Sequence, residues 1–503
     1  MVDENFCMQK DAQGYISGRL PVVLSAIMPK GGLQKRAQGT TIAADMDATR
    51  AKDKLAADRV VLLGILVVGV LLGRLLVSVR SKIDMSSPIK LDFAGLSVSM
   101  PSGEGWTCAD RWTYEETSGE SLYMLGGAFV AGEGQRPGTR VLCVCTPVFE
   151  SATAAERLEN LASRLNARIV QASQIESGNI AFDWAQILDE TGRVNVLFGT
   201  ADLAYGRQLD IKIREDTGDM AWAWNVFEQI VCSVRVDDAL LKAGNDLVES
   251  VKFRGVGSFL ANQNRQRLFI VKDTSGASVG FKMDVFVDMG DQDELPIQAA
   301  GAHYLKDESV WDHAISFFAE DDLSQFEWNS RAINMIGRQI VSGSRIDVVL
   351  DQSGVIAVME ANVLDRKYRP GPLAVPRILL ELFVVQMFKQ GIEQCVIDLI
   401  DEDGRVTPVV VSEISAEQAR GDLGNDKIEY AAKLEYQYLG GQDSYRRMYF
   451  DGDKRVILEA VKREKLLFLE RASGESLAKE FPERADLLLN SDKLKEKLGR
   501  DRD

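Results

Sequence analysis

The sequence predicts an α+β protein in which a single transmembrane helix precedes two antiparallel-sheet domains, each packed with helices. Three observations lead to this fold class. A near-continuous apolar run occupies residues 60–79. Runs that alternate apolar and polar residues, typical of half-buried strands, fill much of the chain after it. A few segments with apolar residues at helical spacing interrupt those runs.

The apolar run Val60–Val79 has about the length that crosses the hydrocarbon core of a bilayer. It is too long for a usual signal peptide, and no cleavage site of small residues follows it, so we expect an uncleaved anchor. Gly69 and Gly73 form a GxxxG pair, a spacing that lets two membrane helices pack closely. The run therefore predicts the lipid bilayer as one partner, and a homodimer or another protein as a second.

Lysine and arginine residues are balanced on the two sides of this run, so they do not decide its orientation. Internal anchors with a large C-terminal part usually keep the short N-terminal tail in the cytoplasm. We therefore expect a single-pass protein of the inner (plasma) membrane with its C-terminal domains on the exported side. Residues 1–59 are predicted to be a disordered tail.

The composition argues against several functional classes. The formal net charge is −16, and a strongly acidic chain repels nucleic acid, so no nucleic-acid partner is expected. No glycine-rich phosphate loop, HExxH motif or serine-nucleophile motif stands in a suitable context, so we predict no enzyme, no cofactor and no metal. The two histidines, His303 and His313, have no nucleophile that the sequence identifies, and both are interpreted as structural.

Residues 92–236 predict one α+β domain. Its first strand is followed by a helix that opens with a capping box of Thr153 and Glu156, then by consecutive strands and a last helix from about Asp219. This order of elements, from GLSVSMPSGEGW to a helix running into IVCSV, resembles the PsbP fold of exported α+β modules. The resemblance covers residues 94–236. It implies an assembly or interaction module, and it assigns no site residue.

Residues 250–473 predict a β-meander with one central helix. Its hairpins turn at D-x-x-G sequences that begin at Asp273, Asp351 and Asp401, where aspartate caps the turn and glycine takes the left-handed conformation. The predicted helix starts at Pro376, and its apolar side is a possible ligand face formed by Ile378, Leu382, Phe383 and Met387. A large sheet wrapped on such a helix resembles the half-barrel of LolA-like lipoprotein carriers. Residues 474–503 are predicted to be a charged helical tail.

The leading functional prediction is a membrane-anchored, non-enzymatic scaffold or partner-binding protein of the cell envelope. The alternative is a lipid- or lipoprotein-binding carrier. A large cavity inside a curved sheet would favour the carrier, and a solidly packed interior would argue against it. A third prediction, a carboxylate-based hydrolase, requires a cleft in which acidic side chains with shifted pKa values converge.

Overall fold

The structure is a computed structural model, and part of the chain is described. The described residues are 83–102, 106–108, 112–114, 124–131, 140–146, 148–149, 153–189, 195–215, 219–260, 266–288, 295–306, 310–336, 339–436, 445–462 and 465–489. The predicted tail at 1–59, the predicted transmembrane helix at 60–79 and its Gly69–Gly73 pair lie outside them. Within the described ranges, no helix combines the length and the apolar character that crossing a membrane requires.

The chain forms strands over most of the described length. The first twelve are β1 (Ile89–Leu91), β2 (Leu96–Val98), β3 (Trp106–Cys108), β4 (Trp112–Tyr114), β5 (Met124–Ala131), β6 (Arg140–Thr146), β7 (Val148–Phe149), β8 (Ala167–Ser177), β9 (Ile180–Asp189), β10 (Asn195–Leu203), β11 (Arg207–Glu215) and β12 (Arg235–Val236). Those that follow are β13 (Gln266–Lys272), β14 (Ser278–Asp288), β15 (Ile297–Lys306), β16 (Val310–Ala319), β17 (Phe326–Ile336), β18 (Gln339–Leu350), β19 (Ile356–Glu360), β20 (Val363–Pro370), β21 (Ala374–Pro376), β22 (Gln394–Ile400), β23 (Val406–Ile414), β24 (Tyr430–Tyr436), β25 (Tyr445–Phe450), β26 (Val456–Lys462) and β27 (Leu466–Arg471).

Helices are fewer and mostly short. The α-helices are α1 (Ala154–Arg164), α2 (Met220–Ser233), α3 (Ala239–Arg254), α4 (Val256–Leu260), α5 (Leu380–Gln390), α6 (Ala416–Leu423), α7 (Gly474–Glu480) and α8 (Ala485–Leu489). Three 3₁₀ turns, Asp92–Ala94, Arg377–Leu379 and Pro482–Arg484, accompany them. Thr153 and Glu156 form the predicted capping box of α1, and the Asp219 side chain accepts from the Trp222 N–H at the start of α2.

Three sheets are present among the described residues. A 3-stranded sheet has the order β1-β2-β12, and an 8-stranded sheet has the order β3-β5-β6-β11-β10-β9-β8, with β4 paired to β5. The largest has 16 strands in the order β21-β22-β23-β24-β25-β26-β27-β13-β14-β15-β16-β17-β18-β19-β20-β7. Only its β21–β22 pair is parallel; the described neighbours that follow are antiparallel.

The 16-stranded sheet curves around α5. Leu382, Phe383 and Met387 of this helix have no exposed surface, and they share one core cluster with residues from strands at both ends of the sheet, such as Val409 and Val358. Side chains from strands so far apart in the sheet meet in one cluster because the sheet bends around them. A barrel-like sheet that encloses part of its own interior results.

The predicted fold class, α+β with two antiparallel-sheet domains each packed with helices, is therefore wrong. The described residues are mostly strand, and the second half of the chain forms one barrel-like sheet rather than a sheet covered by a helical layer. The error has a physical cause: the sheet is completed by pairings between distant segments. For example, Phe269 of β13 lies opposite Arg471 of β27, and local periodicity carries no information on such partners.

The C-terminal helices pack on the outer face of β13, β14 and β15, a small part of the large sheet. Leu477 of α7, together with Phe481 and Leu488, is buried against Met283 and Val285 of β14. Leu477 and Phe481 belong to the predicted charged tail, 474–503, and they attach its first part to the sheet. Residues 490–503 lie outside the described ranges.

Two contacts join the 8-stranded sheet and its helices to β22 of the large sheet. The Arg207 guanidinium donates from both terminal nitrogens to the Asp398 carboxylate at 2.7 and 2.9 Å, and its Nε donates to the Phe93 carbonyl at 2.9 Å. Both charged side chains are fully buried. Helix α3 lies so close to β22 that a Cβ atom at Gly244 would stand 1.8 Å from the Val396 carbonyl oxygen.

We expect Asp398→Asn to lower the free energy of unfolding by about 3–5 kcal/mol, because it leaves the Arg207 charge buried without its partner. The double variant Arg207→Met/Asp398→Leu removes both charges and should cost less than the single variant. Chemical denaturation of the three proteins measures this. Equal or greater loss in the double variant would contradict the explanation.

Gly244→Ala should destabilise the protein by roughly 1–3 kcal/mol, because the added methyl group meets the β22 backbone and α3 must shift. A matched control is Gly421→Ala in α6, where no atom lies within 4 Å of the new Cβ. Alanine is the better helix former, so the control should gain up to about 1 kcal/mol. Thermal unfolding of both variants checks the opposite signs, and a neutral Gly244→Ala would contradict the close approach.

Candidate functional site

A cavity of about 300 Å³ lies between the inner face of the large sheet and the start of α5. The strands that bound it are β13 to β17 and β25 to β27, and the other wall is the 3₁₀ turn Arg377–Leu379 with the first turn of α5. Its apolar lining includes Val271, Leu305, Trp311, Ile315, Trp328, Ile378, Leu380, Val461, Leu467 and Leu469. Its charged or titratable lining is formed by Arg267, Lys282, Asp284, His303, Arg377, Glu381, Glu402, Arg446 and Glu459.

Strand register places these polar side chains on one face. Residues directly opposite each other in an antiparallel pair point to the same side of the sheet. Lys282 lies opposite His303, and His303 lies opposite His313. Because Lys282 and Asp284 are two residues apart on β14, they share this inner face. The inner face of the sheet therefore carries a continuous polar patch.

The outer face of the same strands explains why the sequence concealed this patch. In β14 the apolar residues Met283 and Val285 alternate with Lys282 and Asp284, a pattern that usually means apolar inside and polar in solvent. Here the apolar set packs under the C-terminal helices, and the polar set faces the interior of the barrel-like sheet. The alternation correctly indicates a strand. The side chains face the opposite way from the usual rule, because the polar residues face the interior and the apolar residues face outward.

Ion pairs neutralise most of the buried charge. Arg267 contacts Glu381 of α5 at 3.1 Å, and Lys282 contacts Asp284 at 3.0 Å. Arg446 donates through Nη2 to the Glu459 carboxylate. These pairs matter because an unpaired charge in a dry interior is costly. Pairing across β13, β25, β26 and α5 also fixes the orientation of the side chains that surround the cavity.

The third D-x-x-G turn, which begins at Asp401, also contributes to the lining of the cavity. Gly404 of this turn has φ +74°, the left-handed conformation that the motif predicts. Arg377 donates to Asp401 at 2.8 Å and so ties the turn to the segment before α5. The next residue, Glu402, lines the cavity. Burial would raise the pKa of Glu402, but the charges of Arg377 and the two histidines more than offset this and hold it at about 2.

The two histidines form a pair beside Trp311. Their ring centroids are 5.7 Å apart in an edge-on arrangement, and the Trp311 ring lies 4.9 Å from His313. Burial lowers the pKa of His313 to about 4, an effect that Glu402 opposes and His303 reinforces. His313 is therefore neutral at physiological pH. From the sequence alone, both histidines are interpreted as structural, and their pairing is not identified.

Several buried nitrogen atoms near the cavity have no hydrogen-bond partner within the described residues. They are Trp328 Nε1, Arg446 Nε, His303 Nε2 and His313 Nδ1. Trp328 and Arg446 are 1 % and 7 % exposed, so bulk water does not satisfy their N–H groups. Buried donors are nearly always paired, and exceptions point to a role or to a bound molecule.

The structure separates the residues of the predicted ligand face. Ile378 is half-buried and lines the cavity, whereas Leu382, Phe383 and Met387 are fully buried in the core around α5. The interior is thus packed along the helix and open at its beginning. No group of three or more metal-ligating side chains is arranged to hold an ion among the residues described.

Comparisons with known proteins give weak likenesses of fold. No protein-family model matches the chain, and no curated protein matches it. Among solved structures it is similar to a β-barrel-like protein of the domain of unknown function DUF1849 from Brucella abortus, with 11 % identity, 41 % of this chain and 94 % of that chain covered, and a TM-score of 0.31.

Two further structures match smaller parts. The cyanobacterial PsbP protein CyanoP from Synechocystis sp. PCC 6803 has 11 % identity, 30 % and 91 % coverage, and a TM-score of 0.24. LpqN from Mycobacterium tuberculosis, described as involved in cell envelope biogenesis, has 13 % identity, 31 % and 94 % coverage, and a TM-score of 0.23. The weak resemblances that the sequence indicates, to a PsbP-like module and a LolA-like half-barrel, are confirmed as such. TM-scores this low carry no argument about function.

His313 should make folding sensitive to acid. Because its folded pKa is about 4 and its unfolded value is about 6.5, the unfolded chain takes up a proton first, and stability falls as pH drops from about 6.5 to 4. His313→Gln should remove roughly 2–3 kcal/mol of this loss. Burial raises the pKa of Asp401 to about 6, despite the opposing charge of Arg377. Because the folded chain then binds this proton more tightly than the unfolded chain, Asp401 makes stability rise as pH drops through the same range.

The measurement is the free energy of unfolding of wild type and His313→Gln at a series of pH values. The difference between the two profiles isolates the histidine, since Asp401 is present in both proteins. Parallel profiles from pH 4 to 6.5 would show that His313 does not titrate in this way.

Proposed function

We propose that this protein is a non-enzymatic binding or carrier protein, and that it holds a small amphipathic ligand in the cavity at the start of α5. The observation that supports this most directly is the composition of the lining. Apolar side chains line the cavity together with fixed ion pairs, and the lining residues Trp328 and Arg446 have buried N–H groups without a partner. Binding sites for small molecules have this composition, largely apolar with a few placed polar groups.

The size of the cavity restricts the ligand. About 300 Å³ is the lower end of the range for small-molecule pockets. A single short chain or a small ring system fits such a volume, whereas a diacyl lipid or a lipoprotein needs more. The proposal therefore narrows the predicted lipid or lipoprotein carrier to a carrier of small molecules. Attachment to the cell envelope stays a prediction, because it rests on residues 60–79.

The chemistry of the lining favours binding over catalysis. Serine, threonine and cysteine are absent from the described residues that line the cavity, so no hydroxyl or thiol nucleophile stands beside the histidine pair. Three of the four lining carboxylates are occupied by cations: Asp284 by Lys282, Glu381 by Arg267 and Glu459 by Arg446. Such paired carboxylates are suited to fixing a polar wall rather than to transferring protons.

Ile378→Trp tests the proposal, because a larger side chain at this position occupies the cavity. A matched control is Ile340→Trp on β18, where the side chain is 67 % exposed and is not part of the lining. Native mass spectrometry of the full chain, after incubation with a cell extract, should show an added small-molecule mass for wild type and the control. The cavity variant should lose it.

A wild-type protein that acquires no added mass would contradict the proposal. So would an added mass that Ile378→Trp retains in full, since the ligand would then lie elsewhere. Circular dichroism of all three proteins confirms that the comparison is made between folded chains.

A further inference from the structure

The geometry points to an amphipathic monocarboxylate as the ligand, with its carboxylate accepting a hydrogen bond from Arg446 and its apolar body against Trp311, Trp328 and Ile378. This inference rests on the proposed function and names the chemistry of the same site. Three features of the lining support it: the kind of polar atom left unpaired, the distribution of charge, and the extent of the apolar wall.

The unpaired atoms of the lining are donors or able to donate. Arg446 Nε and Trp328 Nε1 always carry hydrogen and never accept. His303 Nε2 differs from them because it lies 3.8 Å from the Asp284 carboxylate. No fully buried side-chain oxygen without a hydrogen-bond partner occurs among the described residues of the lining. A ligand that satisfies such a site must supply acceptors, and a carboxylate supplies two oxygens with about four acceptor positions.

Arg446 keeps one donor for a further acceptor. Its Nη2 donates to Glu459, whereas its Nε–H is left over. Four cations line the cavity, namely Arg267, Lys282, Arg377 and Arg446, and Asp284, Glu381, Glu402 and Glu459 oppose them. A charge-assisted hydrogen bond to guanidinium is among the strong ones.

An apolar body is required by the apolar part of the lining. Trp311, Ile315 and Trp328 from neighbouring strands line the cavity together with Ile378 and Leu380 from the start of α5. A small hydrophilic acid would leave this surface in contact with water, whereas an alkyl or aryl chain buries it at about 25 cal/mol per Å². A ligand with one acidic group and a compact apolar chain therefore matches both the charged and the apolar side chains of the lining.

The experiment compares three probes that share one apolar chain and differ in the polar group: octanoate, 1-octanol and octylamine. Each is titrated into the full chain held in lipid nanodiscs and monitored by isothermal calorimetry, with empty nanodiscs as the blank. Octanoate should bind at least tenfold more tightly than the alcohol, and the amine should not bind above the blank.

Arg446→Lys tests the proposed contact. Lysine keeps the positive charge beside Glu459 and removes the Nε–H, so octanoate should bind about tenfold more weakly, which corresponds to one hydrogen bond, while octanol binding is unchanged. The matched control is Arg447→Lys, the neighbouring residue whose side chain points to the other face of β25 and donates to Asp422. It should leave both affinities unchanged.

The outcomes separate the two proposals. Tighter binding of octylamine or octanol than octanoate would overturn the carboxylate assignment and leave the binding function standing. Equal weakening of octanoate and octanol in Arg446→Lys would overturn the contact with Arg446. If no probe binds and the wild-type chain also carries no mass from a cell extract, both proposals fall.

Discussion

The bidentate pair of Arg207 and Asp398 is the interaction on which the rest of the described structure depends. Its two side chains are fully buried, and it joins β11 of the 8-stranded sheet to β22 of the large one. A buried pair of this kind adds little stability compared with apolar residues of the same size. However, a shift of one sheet against the other would separate the two charges, and a single buried charge is costly. The pair thus fixes one register between the two sheets, and Gly244 allows α3 to reach the same strand.

Strand β22 also connects the Arg207–Asp398 pair to the cavity. Asp398 is three residues before Asp401, where the turn begins that presents Glu402 to the lining. Arg377 binds the same turn and begins the 3₁₀ segment that leads into α5. The position of α5 therefore follows from β22, and the cavity follows from where α5 starts. A shift of β22 by one residue would reverse the faces of its side chains and separate Glu402 from the histidine pair.

Local features of this fold were predictable, and the site was not. The capping box at Thr153, the helix cap at Asp219 and the glycine turn at Gly404 depend on residues within a few positions of each other, and the structure contains all three. Formation of the site depends on pairings that no local pattern encodes, such as His303 opposite His313. It also depends on Lys282 and Asp284 facing inward, which is decided by the C-terminal helices that cover the other side of β14.

The open space at the start of α5 has the chemistry of a site rather than of a packing defect. Voids that arise from imperfect packing are lined by apolar atoms and stay dry. Here Arg267, Lys282, Arg446 and their carboxylate partners surround the space, at a desolvation cost that a core of leucine and valine would avoid. A few residues further along the same helix, Leu382, Phe383 and Met387 show that the chain can fill the interior completely. The sequence thus places polar side chains around the cavity. The unpaired N–H groups of Trp328 and Arg446 make this cavity suited to a ligand that carries hydrogen-bond acceptors.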